Sequence, residues 1–195
     1  MKKIFITVFL TLLGLNSFSQ NLTVEEFQKD AELAGLKFEM PIGYKITEVK
    51  KNRDLQYSFA IINEDGSMEV RYSLFPMKEN LAEYEKSKDD KNVIMINPNA
   101  MYTSLMVANG MNMTNGKMPE IKNFNTNSVK KEFNADYGGV TTFDFNCEFG
   151  KGYKIGQFVC LHKENVADVI ITFLSNDINK HYELFKIPFH SLTFK

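Results

Sequence analysis

The sequence predicts an α+β protein, with an antiparallel sheet covered by helices on both faces in an α/β/α sandwich. Residues 55–62 and 68–75 carry apolar side chains at alternate positions on either side of Asp65-Gly66, which is typical of a β-hairpin. Residues 158–161 and 169–174 are apolar on both strand faces, and such strands need cover on both sides of their sheet. Helical spacing of apolar residues elsewhere in the chain predicts helices that supply part of this cover.

Residues 1–19 have the features of a secretory signal peptide. Lys2 and Lys3 give it a positive start, and residues 4–15 form an apolar run shorter than the roughly 20 residues that span a bilayer. Ser17 and Ser19 place small residues before a cleavage site at Gln20 or Asn21. We therefore expect a periplasmic or extracellular protein of a Gram-negative bacterium, with residues 20–195 as one domain. The alternative is a buried N-terminal helix.

A short helix is predicted at the start of the domain. Thr23 and Glu26 have the spacing of a capping box, and Gly35 is expected to end the helix. Residues 36–40 and 44–49 then form strands on either side of a Pro41-Ile42-Gly43 turn.

The hairpin that follows has a register fixed by a two-residue turn at Asp65-Gly66. Turn chemistry and apolar pattern select the same pairing, which strengthens the prediction. The predicted pairs are Ile61–Val70, Phe59–Tyr72 and Tyr57–Leu74.

The middle of the chain is less regular. Asn97-Pro98 is typical of a helix start, since proline is favoured at the first helical position. A solvated helix is predicted over residues 79–90. The helix that follows Asn97-Pro98 has a face formed by Met101, Leu105 and Ala108, and it is expected to end at Asn109-Gly110. A polar loop over residues 112–127 and a short helix over residues 128–137, closed by Gly138-Gly139, complete this region.

Two strands, residues 140–149 and 153–162, are predicted around a Gly150-Lys151-Gly152 turn. Pairing around Lys151 sets Cys147 opposite Ile155 and Cys160 opposite Thr142, so that the thiols lie on different faces and too far apart to bridge. A longer loop would shift this register, and an oxidising compartment would then permit a disulfide.

The C-terminal region is predicted to form a helix and a final strand. The helix covers residues 177–187, with Ile178, Tyr182 and Phe185 on one face, and Pro188 breaks it. Residues 192–194 then return to the sheet.

Two segments resemble the PsbP-like fold family. Residues 36–44, Leu-Lys-Phe-Glu-Met-Pro-Ile-Gly-Tyr, form a strand that ends in a Pro-x-Gly-aromatic turn, and residues 191–194, Ser-Leu-Thr-Phe, form a closing strand. The resemblance covers residues 36–195 and implies a small secreted bacterial protein that acts as a binding or assembly factor. No binding residue of the family can be matched here, and the segment over residues 78–127 departs from its simplest pattern.

Composition excludes several classes of protein. With 23 basic and 24 acidic residues the net charge is −1, which argues against a partner held through its phosphate backbone, so we expect no nucleic-acid ligand. An aromatic content of 13% is too high for a disordered chain. No segment after the signal peptide is apolar enough to predict a membrane span.

Cys160-Leu161-His162 is the best catalytic fragment. Side chains two residues apart on a strand share a face, so Cys160 and His162 are candidates for a nucleophile and its base, or for two metal ligands. The alternative is that both are structural, because no third partner is evident.

A group of methionines gives the second candidate site. Met111, Met113 and Met118 lie in or beside the predicted polar loop, and soft thioethers bind Cu(I). The alternative is that they fill gaps in the core or form a contact surface.

The remaining polar motifs favour structural roles. His162, His181 and His190 have no metal-binding spacing. The pairs Glu132 with Asp136 and Asp144 with Glu148 are typical of solvated faces, and Gly150-Lys151-Gly152 lacks the strand-loop-helix context of a phosphate loop.

The sequence therefore favours a secreted, non-catalytic binding or envelope-assembly protein without a cofactor, whose partner is another envelope or secreted protein. The first alternative is a periplasmic copper-binding or copper-delivery protein that uses the methionines. The second is an unrecognised hydrolase at Cys160 and His162. The sequence leaves the oligomeric state open.

Overall fold

A computed structural model describes residues 22–90, 92 and 94–195. The predicted signal peptide and its cleavage site lie outside these residues. The described part of the chain is α+β, as predicted, and contains five α-helices and nine β-strands. In chain order they are α1 Val24–Leu33, β1 Leu36–Phe38, β2 Tyr44–Ile46, β3 Phe59–Asn63, β4 Met68–Pro76, α2 Lys78–Ser87, α3 Tyr102–Met113, β5 Lys122–Asn123, α4 Thr126–Phe133, β6 Tyr137–Asp144, β7 Ile155–Lys163, β8 Ala167–Ser175, α5 Ile178–Leu184 and β9 Leu192–Phe194.

Seven strands form one antiparallel sheet in the order β2-β3-β4-β8-β7-β6-β5. The central strands β7 and β8 are buried on both faces, as their apolar composition predicts. None of the helices in the described residues has the length and apolar character needed to cross a membrane.

The predicted hairpin is confirmed. Ile61 pairs with Val70 and Phe59 with Tyr72. The third predicted pair lies beyond the ladder, because β3 begins at Phe59 and the Tyr57 hydroxyl instead accepts a hydrogen bond from the Lys50 backbone at 2.7 Å.

The N-terminal helix is also confirmed. The Thr23 side chain and the Glu26 side chain each accept a hydrogen bond from the other residue's backbone N–H, and Gly35 follows the helix with φ +74°. The predicted return of the last strand to the main sheet is wrong, since β9 pairs with β1 in a separate two-stranded sheet. Leu36 and Phe194 of this small sheet are buried in a core against one face of the main sheet, so the small sheet covers that face instead of extending an edge.

Two hydrophobic cores lie against opposite faces of the main sheet. In the first core, Phe27 of α1 stacks on Phe59 at 4.3 Å between ring centres, and α4 contributes Val129 and Phe133. In the second core, α3 contributes Met106 and Met113, which pack with sheet residues including Phe143, Phe158, Cys160, Ile170 and Leu174. Side chains alternate between the two faces along β7. Val159 and Leu161 therefore pack in the first core, whereas Phe158 and Cys160 pack in the second.

The predicted end at Asn109-Gly110 of the helix that follows Asn97-Pro98 is wrong. Pro98–Ala100 form a 3₁₀ turn capped by Asn97, and α3 then runs through Gly110 to Met113. Gly110 is buried because Pro119 packs against it, and a Cβ at this position would lie 2.7 Å from Pro119 Cγ. The glycine thus permits a close approach within a continuous helix.

The boundaries predicted for residues 112–139 also change. The segment predicted to be a polar loop contains β5 and the start of α4, whose N-cap is Asn125. Helix α4 ends at Asn134 with φ +51°, and Gly138-Gly139 belongs to β6. A Cβ at Gly138 would lie 2.8 Å from the Phe124 ring, which explains a glycine within a strand.

The predicted register around Lys151 is wrong by three residues. Strands β6 and β7 pair Asp144 with Ile155, and residues 145–154 form a longer loop between them. Cys160 therefore lies opposite Gly139, and Cys147 lies in the loop. Both thiols are free.

Helix α5 is shorter than predicted and its apolar face is different. Its buried side chain is His181, whereas Ile178 and Tyr182 are about half exposed. Phe185, one residue beyond the helix, packs against the first core as predicted.

Replacing Gly110 with alanine tests the approach of Pro119 to α3. We expect Gly110→Ala to lower the free energy of unfolding by about 1–2 kcal/mol, because the overpacking cost exceeds the gain in helix propensity. Chemical denaturation measures this change. In a Pro119→Gly background the same substitution should be neutral or stabilising, and a stabilising effect in the original background would contradict the packing.

Candidate functional site

Cys160 and His162 lie on the same face of β7, as predicted, but have different surroundings. Cys160 is fully buried in the second core, where burial raises the pKa of its thiol and the nearby charge of Asp168 raises it further. The His162 side chain is also buried, and its ring stacks on Tyr102 at 4.4 Å between centres. The thiol is therefore held in its neutral form within the core.

Asp168 is the partner of His162. Nδ1 of His162 lies 2.7 Å from Oδ1 of Asp168. The imidazole donates in this bond, because a carboxylate has no proton to give. The two residues face each other across the β7–β8 ladder, and both are about 95% buried.

Asp168 is not among the site residues predicted from the sequence. Strands β7 and β8 are joined by a tight connection over residues 164–166, in which Asn165 has φ +62°. Asparagine tolerates this left-handed conformation and marks turns. Pairing the strands around Asn165 would have placed His162 opposite Asp168.

Asp168 also lines a surface cavity, which we call the apolar cleft. It lies between the end of β4, α2 and α3 and has a volume of about 410 Å³. Its lining is mainly apolar, with Asn80, Ser104 and Asp168 as the polar residues. The apolar lining consists of Phe75, Pro76, Met77, Pro98, Met101, Leu105 and Ala108.

The predicted helical face of Met101, Leu105 and Ala108 is part of this cleft. All three residues line it, although Met101 belongs to the turn before α3. Met106, on the other side of the helix, is buried in the second core and holds α3 against the sheet. The helix thus anchors one face in the core and presents another to the cleft.

The three candidate copper ligands differ in their exposure to solvent. Met113 is buried in the second core, Met111 is half-buried, and Met118 is 71% exposed. The thiol of Cys147 donates a hydrogen bond to the thioether of Met113 at 3.5 Å. Within the part of the chain that the structure describes, no three His, Cys, Asp or Glu residues are placed to hold a metal ion.

The other two histidines have structural partners. His181 is fully buried in the described structure between the Ser175 hydroxyl at 2.8 Å and the Gln157 amide oxygen at 3.1 Å. Exposed His190 contacts Glu132 at 2.9 Å.

The two predicted acidic pairs do not form joint sites. Glu132 contacts His190, whereas Asp136, beyond the end of α4, forms an ion pair with Lys130 at 2.9 Å. Asp144 ends β6, and Glu148 lies in the following loop.

Comparison with known proteins gives no relative from which a function can be transferred. No model of a protein family matches the chain, and no curated protein matches it. The chemistry of the cleft therefore provides the basis for a functional proposal.

The difference in burial between the two thiols predicts selective alkylation. With N-ethylmaleimide at neutral pH, the native protein should slowly take up one label, at Cys147, because Cys160 is enclosed. Mass spectrometry should show a second label only after unfolding. Cys147→Ser should leave the native protein unlabelled, and labelling of Cys160 at a rate similar to Cys147 would contradict its burial.

Buried His181 predicts a pH-dependent stability. Burial lowers the pKa of His181 below its usual value of 6.5, so below pH 6.5 the unfolded chain binds a proton that the folded protein resists. The free energy of unfolding should fall as pH drops, by at most about 1.4 kcal/mol per pH unit from this group, until the folded pKa is reached.

Denaturation curves between about pH 5 and 7 measure this effect, because ordinary carboxylates titrate lower. His181→Gln should flatten the profile, whereas His190→Gln, which changes an exposed histidine, should preserve it. An unchanged slope in His181→Gln would show that another group is responsible.

Proposed function

We propose that this chain is a non-catalytic binding protein and that the apolar cleft is its binding site. The observation that carries the proposal is the carboxylate of Asp168 at the wall of a mainly apolar cavity of about 410 Å³. Ligand sites are typically cavities of about 300–1,000 Å³ with a few polar groups among apolar side chains. The cleft has both properties.

The ligand is a small, mainly apolar molecule with a cationic or hydrogen-bond-donating group. Oδ1 of Asp168 accepts a hydrogen bond from His162, and Oδ2 has no hydrogen-bond donor among the described residues. Among the described residues, the side-chain oxygens that are both fully enclosed and without a hydrogen-bond partner do not include Oδ2. This oxygen therefore remains accessible from the cleft that Asp168 lines. A donor on the ligand would pair with this oxygen while its apolar part contacts Leu105 and Met101.

A binding function is favoured over hydrolysis by the state of Cys160. A nucleophilic thiol needs a low pKa and access to its substrate. Burial raises the pKa of Cys160 and encloses its sulfur in the second core.

Export and fold family form the remaining part of the proposal. Residues 1–19 would direct the protein to the periplasm or the outside of the cell, where it would meet its ligand. Helices α1 and α4 against one core and α3 against the other are compatible with the two-sided cover of a PsbP-like sandwich. The family resemblance favours a binding or assembly role, in which another secreted protein replaces the small ligand.

Two eight-carbon probes, n-octylamine and n-octanol, test the ligand class. Calorimetric titration should show both binding and the amine binding at least tenfold more tightly, because its ammonium group pairs with Asp168. Asp168→Asn should remove the preference for the amine while retaining octanol binding.

Filling the cleft provides the matched test of location. Ala108→Phe places a ring in the cavity from α3, whereas Ala82→Phe adds the same ring to an exposed site on α2. Only Ala108→Phe should reduce binding of both probes, by at least tenfold. Equal binding in both variants, or no binding to the original protein, would overturn the small-ligand proposal. A secreted protein captured by the original chain and by Ala82→Phe, but not by Ala108→Phe, would replace the small ligand with a protein partner.

A further inference from the structure

Arg71 is a charged residue in the interior of the protein. It lies on β4, on the sheet face that carries the second core, and is 2% exposed. Glu69, on the same face two residues earlier, is equally buried, and its Oε1 lies 2.6 Å from Nε of Arg71. Burying a charged group without a partner costs free energy. Glu69 lowers this cost because its negative charge balances the positive charge of Arg71.

The surroundings fix the plane of the Arg71 guanidinium. Nη1 donates to the backbone oxygen of Phe149, and the rings of Tyr57 and Phe149 lie 4.9 and 4.5 Å from the guanidinium carbon. The Tyr153 hydroxyl donates to Oε2 of Glu69 at 2.8 Å. The guanidinium is therefore held in one orientation before any ligand arrives.

One nitrogen of Arg71 has no acceptor. The hydrogen bonds of this side chain involve Nε and Nη1, and no oxygen of a described residue accepts a bond from Nη2. Nη2 is not among the fully enclosed polar atoms that lack a partner in the described residues, so it keeps some exposure to solvent. Arg71 lines a pocket of about 240 Å³. Nη2 is therefore the nitrogen that contacts this pocket.

The rim of the pocket is predominantly basic. Lys50, Lys51 and Lys151 line it, each exposed to solvent, against one acidic residue, Glu148. Asn52 completes the lining with Phe149. Three exposed lysines thus line a pocket that also contains a rigidly held guanidinium with an unused donor.

We propose that this pocket, which we call the Arg71 pocket, binds a small oxyanion of the phosphate or carboxylate class. Nη2 donates a charge-assisted hydrogen bond to one anion oxygen, and the lysines contribute attraction at the rim. A hydrogen bond from a guanidinium N–H to an anionic oxygen is charge-assisted and roughly twice as strong as one between neutral groups. The anion is either a free ion or the headgroup of a larger molecule.

The Arg71 pocket is independent of the apolar cleft. The two share no lining residue. Their ligands also have opposite preferences, since Asp168 favours a cation and Arg71 an anion. Loss of one binding activity therefore leaves the other measurable.

Calorimetric titration with inorganic phosphate at low ionic strength tests the site, with sulfate and acetate as further probes. We expect saturable 1:1 binding that weakens as sodium chloride is added, because salt screens the lysines. Lys50→Gln, Lys51→Gln and Lys151→Gln combined should weaken phosphate binding by at least tenfold. The matched control combines Lys86→Gln, Lys117→Gln and Lys131→Gln, three exposed lysines away from the pocket, and should bind as the original chain does.

Arg71→Lys tests the buried anchor. It retains the charge opposite Glu69 but lacks Nη2, so phosphate binding should weaken at least tenfold while a thermal scan still shows a folded protein. If this variant fails to fold, the lysine triple variant decides the outcome. Equal weakening in both triple variants, or no binding to the original chain, would overturn the proposal.

Vesicles identify the source of the anion. Co-sedimentation with phosphatidylglycerol vesicles, compared with neutral phosphatidylcholine vesicles, should be competed by phosphate if the ligand is a lipid headgroup. Binding of free phosphate without vesicle binding assigns the pocket to a soluble ion.

Discussion

Strand β8 is buried along its whole length, and this constraint determines much of the structure. All nine residues, Ala167–Ser175, are buried, so each face of the strand must be covered and each polar side chain needs an internal partner. The carboxylate of Asp168 is hydrogen-bonded to His162, and the hydroxyl of Ser175 is hydrogen-bonded to His181. The hydroxyl of Thr172 lacks a hydrogen-bond partner within the described structure. The two cores and the buried histidine pairs are consequences of placing this strand at the centre of the sheet.

The two candidate sites occupy different ends of the same sheet face. Asp168 and Thr172 are four residues apart on β8, or about 13 Å at the usual rise of a strand. Thr172 lies opposite Arg71 in the β4–β8 ladder, and Asp168 lies opposite Phe75. The second core fills the space between the sites with apolar residues such as Ile170. One face therefore presents a carboxylate at one end and a guanidinium at the other, each supported by a buried hydrogen-bond partner.

Local patterns predicted the fold well where neighbouring residues determine it. The Thr23 capping box and the Asp65-Gly66 hairpin depend on short-range interactions, and both were confirmed. Predictions failed where a distant contact decides the outcome: Gly110 continues a helix because Pro119 packs on it. The apolar cleft was foreseen only as a helical face, since Asp168 and Phe75 reach it from strands far apart in sequence. Arg71 was missed because alternation on β4 alone does not reveal a charged residue enclosed by a distant loop.

That loop, residues 145–154, connects the error in register to the Arg71 pocket. A tight hairpin at Gly150-Lys151-Gly152 would have continued the β6–β7 ladder, but the chain leaves the ladder after Asp144. The loop then supplies the Phe149 ring and carbonyl to Arg71 and the Tyr153 hydroxyl to Glu69. A buried ion pair contributes little stability compared with apolar residues of the same volume, whereas removing one partner costs about 3–5 kcal/mol. Stability alone therefore gives no reason for a charged pair at this position. Anion binding in the Arg71 pocket would explain the charged pair, because the loop keeps the unused Nη2 of Arg71 oriented toward an incoming anion.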